Sequence, residues 1–290
     1  MYPKQFDYFV AQNLKEAISL LRKYDDSKIL AGGQSLLALM KLRLAEPKYL
    51  VDIGRIPKLS YIKARDGGLA IGAMTTHDDI EISPLVRSRF SVLSEAASQI
   101  GDQQIRNRGT LGGSICHADP ASDMPPVMLA LNARLVALGP RKERVIPAKE
   151  FFVDLFTTAL KDYEVLREIR IPALPPRSGS AYMKFTRRHG DFAIVGVAAV
   201  LTVDKKNVCE NVRIGLCSVG ATAMRAKSVE KSLLGKVVDD KTIEEASQLA
   251  DEGTDPPSDI HGSAEYRKAM AKVFTKRALK LAFGRIGGKS

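Results

Sequence analysis

The sequence predicts an α+β protein of three lobes, and three observations carry that prediction. Short apolar strands alternate with amphipathic helices over residues 1–55. A hairpin, several helices and further strands fill residues 56–172, interrupted by a glycine-rich stretch. After a proline-rich linker at 173–180, strands come first and helices last over 181–290, the segregated order of an α+β unit rather than of a βαβ repeat. At 290 residues and 45% hydrophobic, the chain can build several packed cores and has the balance of an ordinary globular protein.

In the first lobe, residues 6–10 alternate as a strand. Asn13, with Glu16 three residues on, is a capping-box pattern, and Ala17, Ile18, Leu20 and Leu21 give the following helix an apolar face. A strand at 28–31, a Gly32-Gly33 turn, a helix from near Ser35 through Leu42 and a strand at 49–53 complete a β-α-β-α-β unit. Parallel crossovers of that kind put ligands at strand C-terminal ends.

In the second lobe, 59–64 and 69–71 flank Asp66-Gly67-Gly68 as a hairpin. Thr76 caps a helix reaching Ile80, and 91–100 form another with Ala96, Ala97 and Ile100 facing inward. Residues 106–123 then read as a loop that exposes its backbone. Pro125 and Pro126 open a short helix ending near Leu131, and strands at 134–138, 145–147 and 164–171 close the lobe.

In the third lobe, strands at 182–186, 194–203 and 208–218 precede helices at 228–234, 241–250 and 264–283. The tail Gly284-Arg285-Ile286-Gly287-Gly288-Lys289-Ser290 superficially matches a phosphate-binding loop, but Phe283 stands where its first glycine belongs. It reads as a helix C-cap and a basic frayed end.

Composition excludes several functions. The formal charge of +11 suggests nucleic acid, yet the cations are spread between acids and no basic module interleaved with aromatics occurs, so no nucleic-acid role is expected. Cys116, Cys209 and Cys217 form no C-x-x-C pair and cannot supply the four thiolates of an iron–sulfur cluster. They fit a reducing, cytoplasmic compartment, and Cys116 stands out because it lies in the glycine stretch. The four histidines lack zinc-ligand spacing, so no metal site is expected. The start has no apolar signal region, and the longest apolar run, 193–201, falls short of the roughly 20 residues that span a bilayer, so neither secretion nor membrane insertion is expected.

The chemistry lies in two glycine motifs. Thr110-Leu111-Gly112-Gly113-Ser114 offers backbone N–H groups and two hydroxyls, and Asp123 is placed to accept from a sugar hydroxyl. Ala31-Gly32-Gly33-Gln34-Ser35, followed by Leu36, puts a double-glycine turn at a helix start. Glycines let N–H groups approach phosphate oxygens, and a helix N-terminus favours them. Together the motifs suit the two phosphates of a dinucleotide. There is no G-x-G-x-x-G after a strand and no G-x-S-x-G, so neither a Rossmann site nor a nucleophile elbow is supported.

The pair resembles the two FAD-pyrophosphate loops of the medium subunit of molybdenum hydroxylases, the carbon monoxide dehydrogenase, xanthine dehydrogenase and aldehyde oxidoreductase family. The likeness continues through His117-Ala118-Asp119-Pro120-Ala121-Ser122-Asp123, Glu164-Val165-Leu166-Arg167-Glu168-Ile169-Arg170-Ile171-Pro172 and Lys184-Phe185-Thr186-Arg187-Arg188-His189-Gly190-Asp191-Phe192-Ala193, covering essentially the whole chain. It implies a two-lobed FAD-binding fold of the vanillyl-alcohol-oxidase (PCMH) type, followed by a C-terminal α+β domain like that of the CO dehydrogenase flavoprotein.

Two readings stand beside each other for several residues. The resemblance gives Asp123 a flavin ribityl or ribose hydroxyl, while its sequence context makes it a helix cap before Met124. By the same resemblance Ile100 packs near the isoalloxazine and Leu166 offers it a backbone contact; both also suit plain core positions. Lys184 would stand beside the flavin, where a cation stabilises the charge that develops on reduction, or else be a solvent-facing lysine on an alternating strand. Phe192 lies against the ring or in the core.

The resemblance further implies a dimer of heterotrimers. A large subunit would hold a molybdenum-pterin cofactor and oxidise substrate; aldehydes, carbon monoxide and N-heterocycles all stay open, an aldehyde or carbon monoxide being favoured by overall likeness to the separate-subunit members. A small subunit would carry two [2Fe–2S] clusters. This chain would take their electrons onto FAD and pass them to an external acceptor. Two alternatives remain at this level: a self-contained FAD oxidoreductase, and a non-redox nucleotide-binding scaffold.

Overall fold

The computed structural model describes residues 2–286, so residues 287–290 of the expected frayed end lie outside the described residues. The first lobe comprises β1 (Asp7–Val10), α1 (Leu14–Lys23), β2 (Ser27–Leu30), α2 (Leu36–Lys41) and β3 (Tyr49–Asp52). Its strands are parallel in the order β1-β3-β2. The Asn13 side chain accepts from Glu16 N at 3.0 Å, as the capping pattern requires. The reciprocal bond, however, runs from Gln12 N to the Glu16 carboxylate at 2.7 Å, one residue earlier than a capping box places it.

The second lobe begins with β4 (Ile62–Arg65) and β5 (Gly68–Gly72), the expected hairpin. Six helices follow: α3 (His77–Ile82), α4 (Pro84–Arg89), α5 (Ser91–Ser98), α6 (Gln103–Arg106), α7 (Leu111–His117) and α8 (Met124–Ala130). β6 (Arg134–Leu138), β7 (Glu143–Pro147), α9 (Ala148–Phe151), β8 (Phe152–Asp154), β9 (Thr157–Thr158) and β10 (Val165–Ile171) complete it. The main sheet is antiparallel, in the order β4-β5-β10-β6-β7. Residues 106–123 are therefore not one exposed loop. They hold the end of α6 and all of α7, with Leu111, Gly112 and Ile115 buried. Thr110 caps α7 by accepting from Gly113 N at 3.1 Å. Two consecutive glycines inside a helix mask its sequence signal, because each weakens helix propensity by about 1 kcal/mol. The four-residue α6 and α9 and the two- and three-residue strands are too short to show a period in sequence.

The third lobe carries β11 (Ser178–Phe185), β12 (Val195–Val203), β13 (Cys209–Cys217), β14 (Met224–Arg225), α10 (Lys227–Leu233), α11 (Asp240–Ser247) and α12 (Ala264–Gly284). Its antiparallel sheet runs β11-β12-β13-β14. β11 starts at Ser178, so the last three residues of the expected linker belong to the sheet, where Gly179 passes close under the α12 carbonyl of Ala282.

Three cores hold the lobes together. One fills the space between the second-lobe sheet and helices α5, α7 and α8, and takes in Tyr182, Ala198 and Val200 from the third lobe. A second lies between the other face of the third-lobe sheet and α10–α12. All nine residues of β12 are buried, which explains its largely apolar sequence: it has helices on both sides, and its one hydroxyl, on Thr202, pairs with that of Ser178. The third core joins Ala17, Ile18 and Val51 of the first lobe to Leu59 and Val165 of the second.

Where β13 meets α8, no room remains for a side chain: a Cβ on Gly215 would stand 2.1 Å from the Pro126 carbonyl oxygen. Gly215→Ala should lower stability by about 1–3 kcal/mol through overpacking, read as a fall in the thermal midpoint.

Candidate cofactor-binding site

The two glycine motifs meet. The Gly32-Gly33 turn leaves β2 at its C-terminal end, and a Cβ on Gly32 would lie 2.0 Å from the Arg108 carbonyl oxygen. Gly33 has φ +77°, a conformation glycine adopts without strain. On the other side, a Cβ on Gly113 would come within 3.7 Å of the Ala31 methyl. The first turn thus seats directly against residues 108–113.

Their donors differ. Among the described residues, the backbone N–H groups of Gly32, Gly33, Gln34, Ser35 and Leu36 donate to no acceptor in the chain, and Ser35 forms no side-chain cap on α2. Such a consecutive row is what a diphosphate requires. The second motif is already bonded. Leu111 N donates to Thr75 O at 2.9 Å, Gly112 N to Ala73 O at 2.9 Å, and Gly113 N to the Thr110 hydroxyl. The Ser114 hydroxyl lies 2.9 Å from that of Ser122. The expectation that both loops present free N–H groups is therefore corrected for the second. Its glycines are small for close packing, since a Cβ on Gly112 would meet the Ala73 carbonyl oxygen at 2.6 Å.

A ladder of main-chain bonds fixes this wall. At the β10 bulge the Arg167 carbonyl accepts from Ala73 N at 3.0 Å, and Ala73 in turn holds Gly112. Leu166, beside the bulge, is buried in the second-lobe core. His77 N donates to Gly109 O at 3.0 Å. His77 is 2% exposed, and its Nδ1 has no partner among the described residues. Burial, joined by the nearby Arg106 charge, pushes it down to about 4. Burial likewise pushes the Cys116 thiol up to about 12, so the cysteine singled out in the glycine stretch is a packed, protonated thiol.

Asp123 and Lys184 come together, in a way neither sequence reading describes. Asp123 makes no cap bond to α8. Its carboxylate accepts from Lys184 Nζ at 2.9 Å and from the Tyr182 hydroxyl at 2.5 Å. Lys184 Nζ also donates to Gln99 O at 3.0 Å, and with a side chain only 2% exposed it is not the solvent-facing lysine of the second reading. Burial pushes the Asp123 carboxyl up, while the Lys184 ammonium and the Tyr182 hydroxyl pull the other way. The pair ties the third lobe to the second one residue from the partly buried Ile100. Phe192 is 62% exposed, outside any core. Tyr182 was missed, although it stands two residues before Lys184 on one strand and so shares its face. Among the described residues, no group of three or more His, Cys, Asp or Glu is placed to hold a metal ion, and no helix is long and apolar enough to cross a membrane.

The fold is that of a flavin-binding protein. Residues 4–174 match the family described as the FAD binding domain in molybdopterin dehydrogenase, and 180–282 the CO dehydrogenase flavoprotein C-terminal domain. The chain belongs to the FAD-binding medium subunits of the CO dehydrogenase and xanthine dehydrogenase family of molybdenum hydroxylases. It is 42% identical to subunit alpha of the 6-hydroxypseudooxynicotine dehydrogenase complex of Paenarthrobacter nicotinovorans, covering 98% of this chain and 97% of the relative. It is 41% identical to the carbon monoxide dehydrogenase medium chain of Hydrogenophaga pseudoflava, over 98% and 99%. A solved structure of carbon monoxide dehydrogenase from that organism, lacking the Mo-pyranopterin moiety of its cofactor, superposes with TM-score 0.96 at 42% identity, covering 99% of this chain and 100% of that one.

Two outcomes follow from this geometry. Lys184→Met should cost about 3–5 kcal/mol by stranding a buried carboxylate, and adding Asp123→Asn should recover part of it in a double-mutant cycle. Between the ordinary histidine value of 6.5 and about 4, the unfolded chain takes up a proton that folded His77 refuses. Stability should therefore fall as pH falls through that window, by up to about 3 kcal/mol, and His77→Gln should flatten this part of the pH profile in denaturant titrations.

Proposed function

We propose that this chain carries FAD for an oxidoreductase assembly. It takes electrons from [2Fe–2S] clusters on a small partner subunit and hands them to an external acceptor, while a large partner subunit holds the molybdenum-pterin cofactor and meets the substrate. The observation that carries this reading is the row of unanswered N–H groups at residues 32–36, seated against residues 108–113.

When bound, the flavin exchanges either one or two electrons, which suits it to stand between single-electron clusters and a two-electron acceptor. This chain supplies binding and orientation. Ala31, Gly32, Gly33, Gln34, Ser35 and Leu36 would hold the diphosphate through main-chain donors. Thr110, Leu111, Gly112, Gly113 and Ser114 would form the facing wall, with Ile100 and Leu166 as apolar support for the ring system. Asp123 and Lys184 would set the spacing of the wall and the third lobe, their polar atoms being spent on each other, on the Tyr182 hydroxyl and on Gln99 O.

A dimer of heterotrimers in the reducing cytoplasm is consistent with the three free thiols and with relatives described as subunits and medium chains. The substrate is chosen on the large subunit. Aldehyde and carbon monoxide oxidation both fit, and relatives of nearly equal identity are named for substrates as unlike as 6-hydroxypseudooxynicotine and carbon monoxide.

Gly32→Ala tests the reading. Its Cβ displaces the turn from residue 108, so the purified variant should lose FAD by about tenfold or more while its circular dichroism is kept. In the assembly, substrate should still reduce the clusters of that variant but no longer the acceptor. A variant that keeps its flavin, or passes electrons without it, contradicts the proposal.

A further inference from the structure

Away from the crevice, the outer face of the second-lobe sheet carries a cavity of about 440 Å³ beside β4. β4 is an edge strand, hydrogen-bonded to β5 alone. The cavity rim is cationic, formed by Lys58, Lys63 and Arg65, and Tyr61 and Glu168 line it from within.

The acid leaves the two rim lysines unanswered. Glu168 is 5% exposed, and its carboxylate is already answered by the Tyr61 hydroxyl at 2.5 Å and by Arg170 Nε at 2.5 Å. Arg65 reaches both Glu168, at 3.5 Å, and Asp66, at 3.4 Å, so the unanswered rim charge is that of Lys58 and Lys63. Neither Lys58 nor Lys63 forms an ion pair among the described residues. The Lys63 ammonium instead stands over the Tyr61 ring, 5.0 Å from its centroid, which holds it at the cavity. Arg167 and Arg170 extend the positive surface across β10, both reaching Glu143. On this face Lys58, Lys63, Arg65, Arg167 and Arg170 outnumber Asp66, Glu143 and Glu168.

We propose that this face docks an acidic surface segment of a partner subunit, whose carboxylates meet Lys58, Lys63 and Arg65 while Tyr61 supplies the apolar contact. Complementary charge steers such encounters and fixes register, and a tyrosine beside cations is a common interface anchor. The inference rests on the reading of this chain as one subunit of an assembly. The docking face also shares a strut with the flavin crevice. Tyr61 N donates to the Thr75 hydroxyl at 3.1 Å, and the Thr75 carbonyl holds Leu111 N.

The test compares three full-length chains in the assembly formed with the partner subunits that copurify with the wild type. These are the wild type, Lys63→Glu/Arg65→Glu, and the control Lys15→Glu/Arg22→Glu on the exposed side of α1. Sedimentation at graded ionic strength gives the association constant, and released FAD is counted for each. The double variant at the cavity should bind its partners about tenfold or more weakly at low salt and lose salt dependence, with flavin content unchanged and the control like the wild type. Wild-type affinity and salt slope in the cavity variant would overturn the docking face. Inorganic phosphate that binds at the cavity while assembly is untouched by the variant would replace the docking face with a small-anion site. A wild-type chain that joins no partner would instead remove the subunit reading, and this inference with it.

Discussion

The close approach of Gly32 to the Arg108 carbonyl is the constraint on which the site depends. Any side chain at residue 32 would push the β2 turn away from residues 108–113, and the row of free N–H groups at the start of α2 would face open solvent instead of a wall. The wall itself is stiff because its N–H groups are spent inward, on Thr75, Ala73 and the Thr110 hydroxyl. One glycine motif therefore supplies donors and the other supplies shape. Two motifs that look alike in sequence divide the work because one follows a parallel strand and the other lies against the β5–α3 connection.

The third lobe is held to this wall by a buried charge pair rather than by apolar packing alone. A lysine and an aspartate taken out of water lose hydration that their mutual attraction only partly offsets, so the arrangement is a weak source of stability. What the additional bonds to Tyr182 and Gln99 O provide is a fixed geometry in which both charges are answered. That geometry sets how β11 lies over the segment leading from α5 into α6.

Much of the fold was legible in the sequence because its larger elements carry strong periods. The first-lobe alternation, the hairpin at Asp66-Gly67-Gly68 and the largely apolar β12 fall where the pattern of side chains puts them. The glycine motifs and the resemblance they carry pointed to the family. What was not legible depends on contacts distant in sequence. Helix α7 is hidden by its own glycines, and Asp123 looks like a helix cap until a lysine and a tyrosine from another lobe claim its oxygens. His77 gives no local sign that it will be buried, because that follows from how α3 packs under residues 106–109.

The most direct measurement is the flavin content of the purified wild-type chain, alone and in its assembly: the visible spectrum, then heat release and chromatographic identification of the cofactor. The account predicts flavin bands and free FAD near one per chain, at the latest once the partner subunits are bound. A chain that is colourless in both states, and takes up no added FAD in either, would contradict it.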